Sequence, residues 1–244
     1  MMKNTLTKPI AALTMFALAS IFCQSAEAKI KVWKLVQNDE ILGDRIIWGY
    51  KDGYRVDYPK SKYTYILSAP DWKLYAYNDI HKNIYTTDAK NWEKQFGARG
   101  KLLISRQFPA KYKILPTQKL TMFGQRVARI DYVSTVPVKN SDIASSSFYV
   151  LEDMPIARQV TDTFAHMWNK DLCQRQSLQT DLVNGRGNKR KMVSTSSVSQ
   201  VDVADNFFKP PAGYKKASSE SEVTLGSDLI NDIVGDLGKV PGKD

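Results

Sequence analysis

Alternating apolar and polar positions dominate the first half of the chain beyond residue 28. The alternating segments are short, rich in Tyr, Trp and β-branched residues, and lie at 30–36, 54–58, 63–67, 72–77 and 81–86. Turn-forming pairs and triplets such as Asp52-Gly53 and Ala69-Pro70-Asp71 separate them. This pattern is typical of an antiparallel meander. It predicts a curved sheet with one aromatic face.

Helical spacing first appears after the meander. Asp88 begins a predicted short helix over 88–96, and Pro155 opens a longer one. The apolar stripe of the longer helix consists of Ile156, Val160, Phe164, Met167 and Trp168. This stripe predicts a helix that packs on the sheet.

Further strands surround the longer helix. The sequence predicts a hairpin over 119–133 that turns at Gly124-Gln125, a strand at 147–151, and a pair at 177–183 and 191–203 joined by the turn 184–188. Residues 108–116 have no predicted form.

The two ends of the chain differ in composition from its middle. Lys3 and Lys8, the apolar run 10–22 and the small residues of 25–28 predict a secretory signal cleaved after Ala28. At the other end, 215–222 has the composition of a flexible linker, and Ser227 begins a predicted amphipathic helix. The helix carries Leu229, Ile230, Ile233, Val234 and Leu237. The predicted divisions are therefore 1–28, 29–214 and 215–244.

The signal predicts a soluble protein outside the cytoplasm, either periplasmic or secreted. Its apolar run is shorter than the roughly 20 residues of a membrane-spanning helix. Phe22 before Cys23 argues against a lipid anchor, since lipoprotein signals place a small residue there. Cleavage leaves Cys173 without an intramolecular partner, either as a buried small hydrophobe or as a thiol for intermolecular pairing.

Aromatic side chains form the first candidate site, a lining for hydrophobic cargo. The nine candidates are Trp33, Trp48, Tyr63, Tyr65, Trp72, Tyr75, Tyr77, Phe164 and Trp168. An aromatic ring offers a large apolar area, and Tyr and Trp add a polar tip, which suits the mouth of a pocket. The alternative is ordinary packing of a sheet.

Basic residues form the second candidate site. The chain carries a net charge of +10, and Arg186, Lys189, Arg190 and Lys191 cluster at one predicted turn. Each basic residue near an anionic lipid surface contributes about 1 kcal/mol to binding. The alternative is a solvated turn that discourages strand pairing. The turn lacks the interleaved aromatics of nucleic-acid binders, so we expect no nucleic-acid partner.

Sequence motifs of catalysis are missing. Histidine occurs only at His81 and His166, and no zinc-protease, serine-hydrolase or phosphate-loop motif is present. We therefore expect no enzyme activity, no cofactor and no metal site.

The order of these elements resembles the periplasmic lipoprotein-carrier superfamily, the LolA/LolB type, over most of residues 30–214. Three segments carry the resemblance: 54–59, 71–79 and the Pro-Gly ending at 208–214. Trp72 stands where relatives usually have Gly. The resemblance implies a mainly β fold with some α structure, an unclosed half-barrel of about eleven antiparallel strands with covering helices.

The resemblance also implies a function, the sheltering of acyl chains. The leading hypothesis is a soluble periplasmic carrier of lipid or lipoprotein. The other is an envelope protein-interaction or assembly module with the same fold, whose interior is filled by its own side chains.

Overall fold

One large β-sheet forms the body of the protein. A computed structural model describes residues 28–92, 108–164 and 175–225. The strands are β1 (Lys29–Asp39), β2 (Gly43–Tyr50), β3 (Gly53–Tyr58), β4 (Tyr63–Ser68), β5 (Leu74–Asn78), β6 (Asn83–Thr87), β7 (Tyr112–Ile114), β8 (Gln118–Met122), β9 (Gln125–Ser134), β10 (Ile143–Leu151), β11 (Gln176–Asn184), β12 (Lys189–Ala204) and β13 (Lys215–Lys216). The helices are α1 (Arg158–Phe164) and α2 (Glu220–Leu225), with a 3-10 turn at Asp205–Phe208 and helical residues at 89–92.

The sheet is open and almost wholly antiparallel. Its order is β13-β6-β5-β4-β3-β2-β1-β12-β11-β10-β9-β7, and β8 also pairs with β9. The pairing of β1 with β12 joins the meander to the second half of the chain. Since the end strands do not pair with each other, the predicted half-barrel is confirmed. The described residues contribute thirteen strands to it, because β7 and β13 add to the predicted eleven or so.

The two sides of the meander bury different side chains. One side, the covered face, carries Leu35, Ile47, Val56, Leu67 and Leu74 in the largest buried cluster. The other side, the second face, carries Val32, Ile66 and Tyr77, packed with Phe208. The predicted single aromatic face is therefore wrong, because successive residues of a strand point to opposite sides and both sides are buried.

Short elements close each face. On the covered face, Val160 and Phe164 of α1 and Trp92 of the helical residues 89–92 join the buried cluster. On the second face, Phe208 of the 3-10 turn is buried against Val32, Ile66 and Tyr77. The helix α1 begins at Arg158, three residues later than Pro155 predicts, and its predicted stripe residues Met167 and Trp168 lie outside the described residues.

The tail docks on the sheet where the composition predicts a linker. Strand β13 pairs in parallel with β6, and Ala217 and Val223 are buried. The Ser219 hydroxyl accepts a hydrogen bond from the Glu222 N–H at 3.2 Å, while the Glu222 carboxylate accepts one from the Ser218 N–H at 2.8 Å. These reciprocal caps resemble a capping box, and they begin α2 at Glu220. The predicted helix from Ser227 lies outside the described residues.

Two turns differ from their prediction. Phe123 and Gly124 both have positive φ, 53° and 71°, so the hairpin turns one residue earlier than Gly124-Gln125. Such a two-residue turn matches the twist of the flanking strands. Trp72, the predicted first residue of a strand, has φ 50°, and β5 begins only at Leu74.

Candidate functional site

The covered face is the candidate site because it combines a broad apolar surface with separate covering elements. The methyl group of Met154 lies 2.2 Å from where a Cβ on Gly49 would stand, so a larger residue there would require the Met154 side chain to shift. Phe164 of α1 packs against Tyr54, with ring centroids 5.9 Å apart. Trp92 packs edge-on against Tyr65 at 5.5 Å. The cover therefore touches the sheet through apolar groups.

On this face, two tyrosines of β4 meet a carboxylate of α2. The Tyr63 hydroxyl donates to Glu220 Oε1 at 2.6 Å, and the Tyr65 hydroxyl donates to the same oxygen. Burial, followed by the electrostatic effects of Tyr65 and then of Glu220, raises the pKa of Tyr63 well above its usual range. Burial likewise raises the pKa of Tyr65, with Glu220 the next cause. Both hydroxyls therefore stay protonated, as donors, at neutral pH.

A second polar group lies on the covered face near the β1–β2 hairpin. Arg45 and Asp39 form a buried ion pair at 3.1 Å. Arg45 also donates to Gln37 at 3.1 Å, and Gln37 donates to the Thr195 hydroxyl at 2.9 Å. Each side chain of this hydrogen-bond network has a partner, as burial of polar groups requires. The network thus links strands β1 and β2 to β12.

The nine predicted aromatic residues divide between the two faces. Those on the covered face are Trp33, Tyr63, Tyr65, Trp72 and Phe164. Those on the second face are Trp48, Tyr75 and Tyr77. Trp168 lies outside the described residues.

The second-face members have structural partners. Trp48 donates to Asp57 at 2.7 Å, and its ring lies 4.9 Å from that of Phe207. Tyr75 donates to Asp71 at 2.6 Å. Burial, then this bond, raises the pKa of Tyr75 to about 12. These contacts assign Trp48 to packing against the 3-10 turn and Tyr75 to the turn that contains Asp71.

Sequence reasoning missed Tyr54, Trp92 and Glu220 as members of the site. Tyr54 donates to Gln176 at 2.8 Å, a bond between β3 and β11 that joins residues 122 apart in sequence. Strand alternation placed Tyr54 on the same side as Val56, so period two was a usable signal. The signal for Glu220 was the Ser219–Glu222 cap, which marks a helix start.

The predicted basic turn is exposed. It joins β11 to β12, and Arg186, Lys189, Arg190 and Lys191 are all exposed there. Arg190 pairs with Glu40 of the β1–β2 hairpin, so it is partly neutralised.

One groove of about 560 Å³ lies beside β6, where the tail meets the sheet. Its lining residues are Lys73, Tyr85, Thr86, Thr87, Asp88, Asn91 and Lys216. Two lysines and one carboxylate give it a mixed charge, and it opens to solvent. These features do not select a hydrophobic cargo.

The described residues contain neither a candidate metal site nor a helix that could span a membrane. Within 28–92, 108–164 and 175–225, no group of three or more His, Cys, Asp or Glu side chains is placed to hold a metal ion. Over the same ranges, no helix has the length and apolar character needed to cross a membrane.

Comparisons with known proteins return similar folds at low identity. No family model and no curated protein matches the sequence. Solved structures that resemble the chain include an uncharacterized conserved protein from Thermus thermophilus, at 7% identity and a TM-score of 0.40, covering 84% of this chain and 98% of that one. Another is a putative outer membrane lipoprotein-sorting protein domain from Vibrio parahaemolyticus, at 11% identity and a TM-score of 0.25, covering 80% and 95%.

A third similar structure is the Pseudomonas aeruginosa MucA/MucB complex, at 10% identity and a TM-score of 0.34, covering 79% of this chain and 59% of that one. A lipoprotein-sorting protein domain, the class that the order of elements resembles, is thus among the similar structures. These three TM-scores are all below 0.5, so the function rests on the residues of this chain alone.

Proposed function

We propose that the protein is a periplasmic carrier that binds the acyl chains of a lipid or lipoprotein on the covered face. The observation that supports this proposal best is the construction of that face. A sheet surface with Val56, Leu67 and Leu74 at its centre is closed by short separate elements, α1 and the helical residues 89–92. Short covering elements can move without unpairing any strand.

Replacement of the covering side chains by an acyl chain should be energetically favourable. Val160 and Phe164 contact the sheet through apolar atoms, so an acyl chain that replaces them keeps the face apolar. Burial contributes about 0.8 kcal/mol per methylene, so ten methylenes would contribute roughly 8 kcal/mol towards displacement of the cover. The buried pairs Tyr54–Gln176 and Arg45–Asp39 supply the few polar groups that ligand sites typically have.

The decisive test is whether lipid accompanies the purified mature protein. Native mass spectrometry and solvent extraction should both show a bound lipid or acylated peptide. A hydrophobic dye that competes for the same face should bind more strongly to Phe164→Ala, because the truncation opens space beneath α1. Phe123→Ala is the matched control, since Phe123 is exposed at the β8–β9 turn. Absence of lipid together with equal dye binding by both variants would contradict the proposal.

A second candidate is an envelope protein-interaction or assembly module without lipid cargo. It is favoured by the packing of the covered face, where Leu35, Leu74, Val127, Leu151 and Leu178 are wholly buried. Side chains that already fill the interior leave an acyl chain nothing to occupy unless the cover moves. Lipid-free protein that nevertheless retains a specific envelope partner would favour this candidate.

We propose in addition that the basic turn contacts anionic membrane surfaces. Arg186, Lys189 and Lys191 are exposed, and no described carboxylate forms an ion pair with any of them. Three such residues would contribute about 3 kcal/mol near an anionic bilayer. Vesicles with and without anionic lipid provide the comparison.

A further inference from the structure

The outer edge of the sheet at β9 is formed by two short strands placed end to end. Strands β7 and β8 both pair with β9, separated by the segment that contains Pro116. Among the residues of 28–92, 108–164 and 175–225, no strand pairs with the far side of either. At the other edge of the sheet, β6 is paired with the chain's own β13. One edge is therefore covered by the tail, and the other presents unpaired backbone.

The register of the β8–β9 hairpin identifies the backbone groups that point outward. Met122 and Gln125 flank the two-residue turn and form its closing pair. Hydrogen-bonded and non-hydrogen-bonded pairs alternate along an antiparallel ladder. Leu120 therefore bonds to β9, while the N–H and C=O groups of Lys119 and Thr121 point away from it.

Strand β7 extends this row. The Leu115 N–H donates to the Asp131 carbonyl at 2.9 Å, and the Lys111 carbonyl accepts from Thr135 at 3.1 Å. The odd-numbered residues of β7 thus face β9. By the same alternation, the backbone groups of Tyr112 and Ile114 point outward.

Three large side chains along this edge are apolar and exposed. Ile114 is 50% exposed, Phe123 42% and Leu120 36%. Leu120 lies opposite the buried Val127, and its neighbour on the same side, Met122, packs on the core cluster. A strand added beside β8 would therefore continue an apolar row that starts in the core.

The charge of the edge selects its partner. Residues 108–125 contain Lys111, Lys113 and Lys119 and no acidic residue. None of the three lysines forms an ion pair with any described residue. A second copy of this chain paired through β8 would place Lys119 near its own counterpart, and like charges opposite each other destabilise a strand pair. The lysines thus disfavour self-association and favour an acidic strand.

We propose that this edge binds an extended acidic segment of a partner polypeptide, which adds to the sheet as a strand beside β8. The partner's backbone pairs with Lys119 and Thr121, its apolar residues lie beside Leu120 and Met122, and its carboxylates meet Lys119 on the other side. Main-chain pairing supplies affinity in this mode of recognition, and alternate side chains supply specificity. The site is separate from the acyl-chain site and does not depend on it.

The test uses a fluorescein-labelled peptide of four Val-Glu repeats and a matched peptide of four Val-Lys repeats. In fluorescence anisotropy, the Val-Glu peptide should bind the mature protein at least tenfold more tightly than the Val-Lys peptide. Lys119→Glu should weaken Val-Glu binding at least tenfold. Lys209→Glu, an exposed lysine beyond the 3-10 turn, should leave it unchanged.

Backbone pairing has its own readout. Thr121→Pro removes one outward N–H without removing a bond to β9, so it should abolish peptide binding; Lys119→Glu decides the matter if the proline variant fails to fold. In the wild-type protein, the peptide should slow hydrogen exchange of the Lys119 and Thr121 amides. Equal binding of both peptides, no effect of Lys119→Glu, or unchanged amide exchange would overturn the proposal. So would amides already protected in a dimer of this chain, which would assign the edge to self-association.

Discussion

Replacing Glu220 with alanine should destabilise the protein by far more than its position in the tail suggests. Its carboxylate accepts hydrogen bonds from both Tyr63 and Tyr65, and it is only 5% exposed. Alanine removes the acceptor and leaves two buried hydroxyls unpaired. Each unsatisfied buried group costs about 1–3 kcal/mol, so the free energy of unfolding should fall by roughly 2–6 kcal/mol.

The loss of stability should be concentrated where the tail meets the sheet. The Ala217 N–H donates to the Ile84 carbonyl at 2.8 Å, and Val223 is buried in the same cluster as Tyr63. Without the Glu220 bonds, α2 and β13 should separate from β6 before the rest of the sheet unfolds. Hydrogen exchange of the Ala217 amide should therefore accelerate more than that of the central strands.

Urea unfolding and amide exchange measure the two effects. Glu220→Gln retains an acceptor oxygen but loses the charge, and charge-assisted bonds are about twice as strong as neutral ones. Its free energy of unfolding should therefore lie between those of the wild type and Glu220→Ala. Glu222→Ala is the matched control, because it removes a carboxylate from the same helix but only an exposed cap. If Glu220→Ala cost less than 1 kcal/mol, or no more than Glu222→Ala, the two tyrosine bonds would not hold the tail.

Three further predictions concern the titration of Tyr63, the packing at Gly53 and the basic turn. Because burial raises the pKa of Tyr63, the unfolded state should lose that proton first as pH rises. The free energy of unfolding should then fall above about pH 10 by up to 1.4 kcal/mol per pH unit for this group, and Tyr63→Phe should show a shallower fall. Gly53→Ala should lower the urea midpoint, since the added Cβ would lie 2.9 Å from the ring of Phe208 and overpacking costs about 1–3 kcal/mol; an unchanged midpoint would show that the ring yields freely. The double variant Arg186→Ser with Lys189→Ser should bind anionic vesicles at least tenfold more weakly than wild type in co-sedimentation, whereas equal binding would make the turn a merely solvated one.

The class of fold was predictable because alternation is a local property. Period-two segments separated by turn residues identify strands without knowledge of their partners, and the family resemblance carried by their order then implied the half-barrel. The side on which each aromatic residue lies was also available from alternation within a strand. The error was to treat Trp48, Tyr75 and Tyr77 as members of the same surface as Tyr63 and Tyr65, because aromatic content was taken as the property of one face.

The docking of the tail was harder to predict because composition and local chemistry disagree there. A run of Ser, Lys and Glu is typical of linkers, and a two-residue strand leaves no alternation to detect. Ser219 followed three residues later by Glu222 is a pattern typical of a helix start, but the linker-like composition of 215–222 outweighed it and the helix was predicted from Ser227 instead. What the sequence did not supply was the partner of Glu220: Tyr63 lies 157 residues away, and only the β13–β6 pairing brings the two together.

The two edges of the sheet lead to opposite expectations for how the molecule meets other polypeptides. At β6, the tail occupies the edge, and the bonds of Glu220 to Tyr63 and Tyr65 hold it there. A partner strand at that edge would have to displace these contacts before it gained any of its own. At β8, the outward groups of Lys119 and Thr121 have no strand to displace among the described residues. A partner strand should therefore add at β8, while release of the tail at β6 would expose the tyrosine end of the covered face.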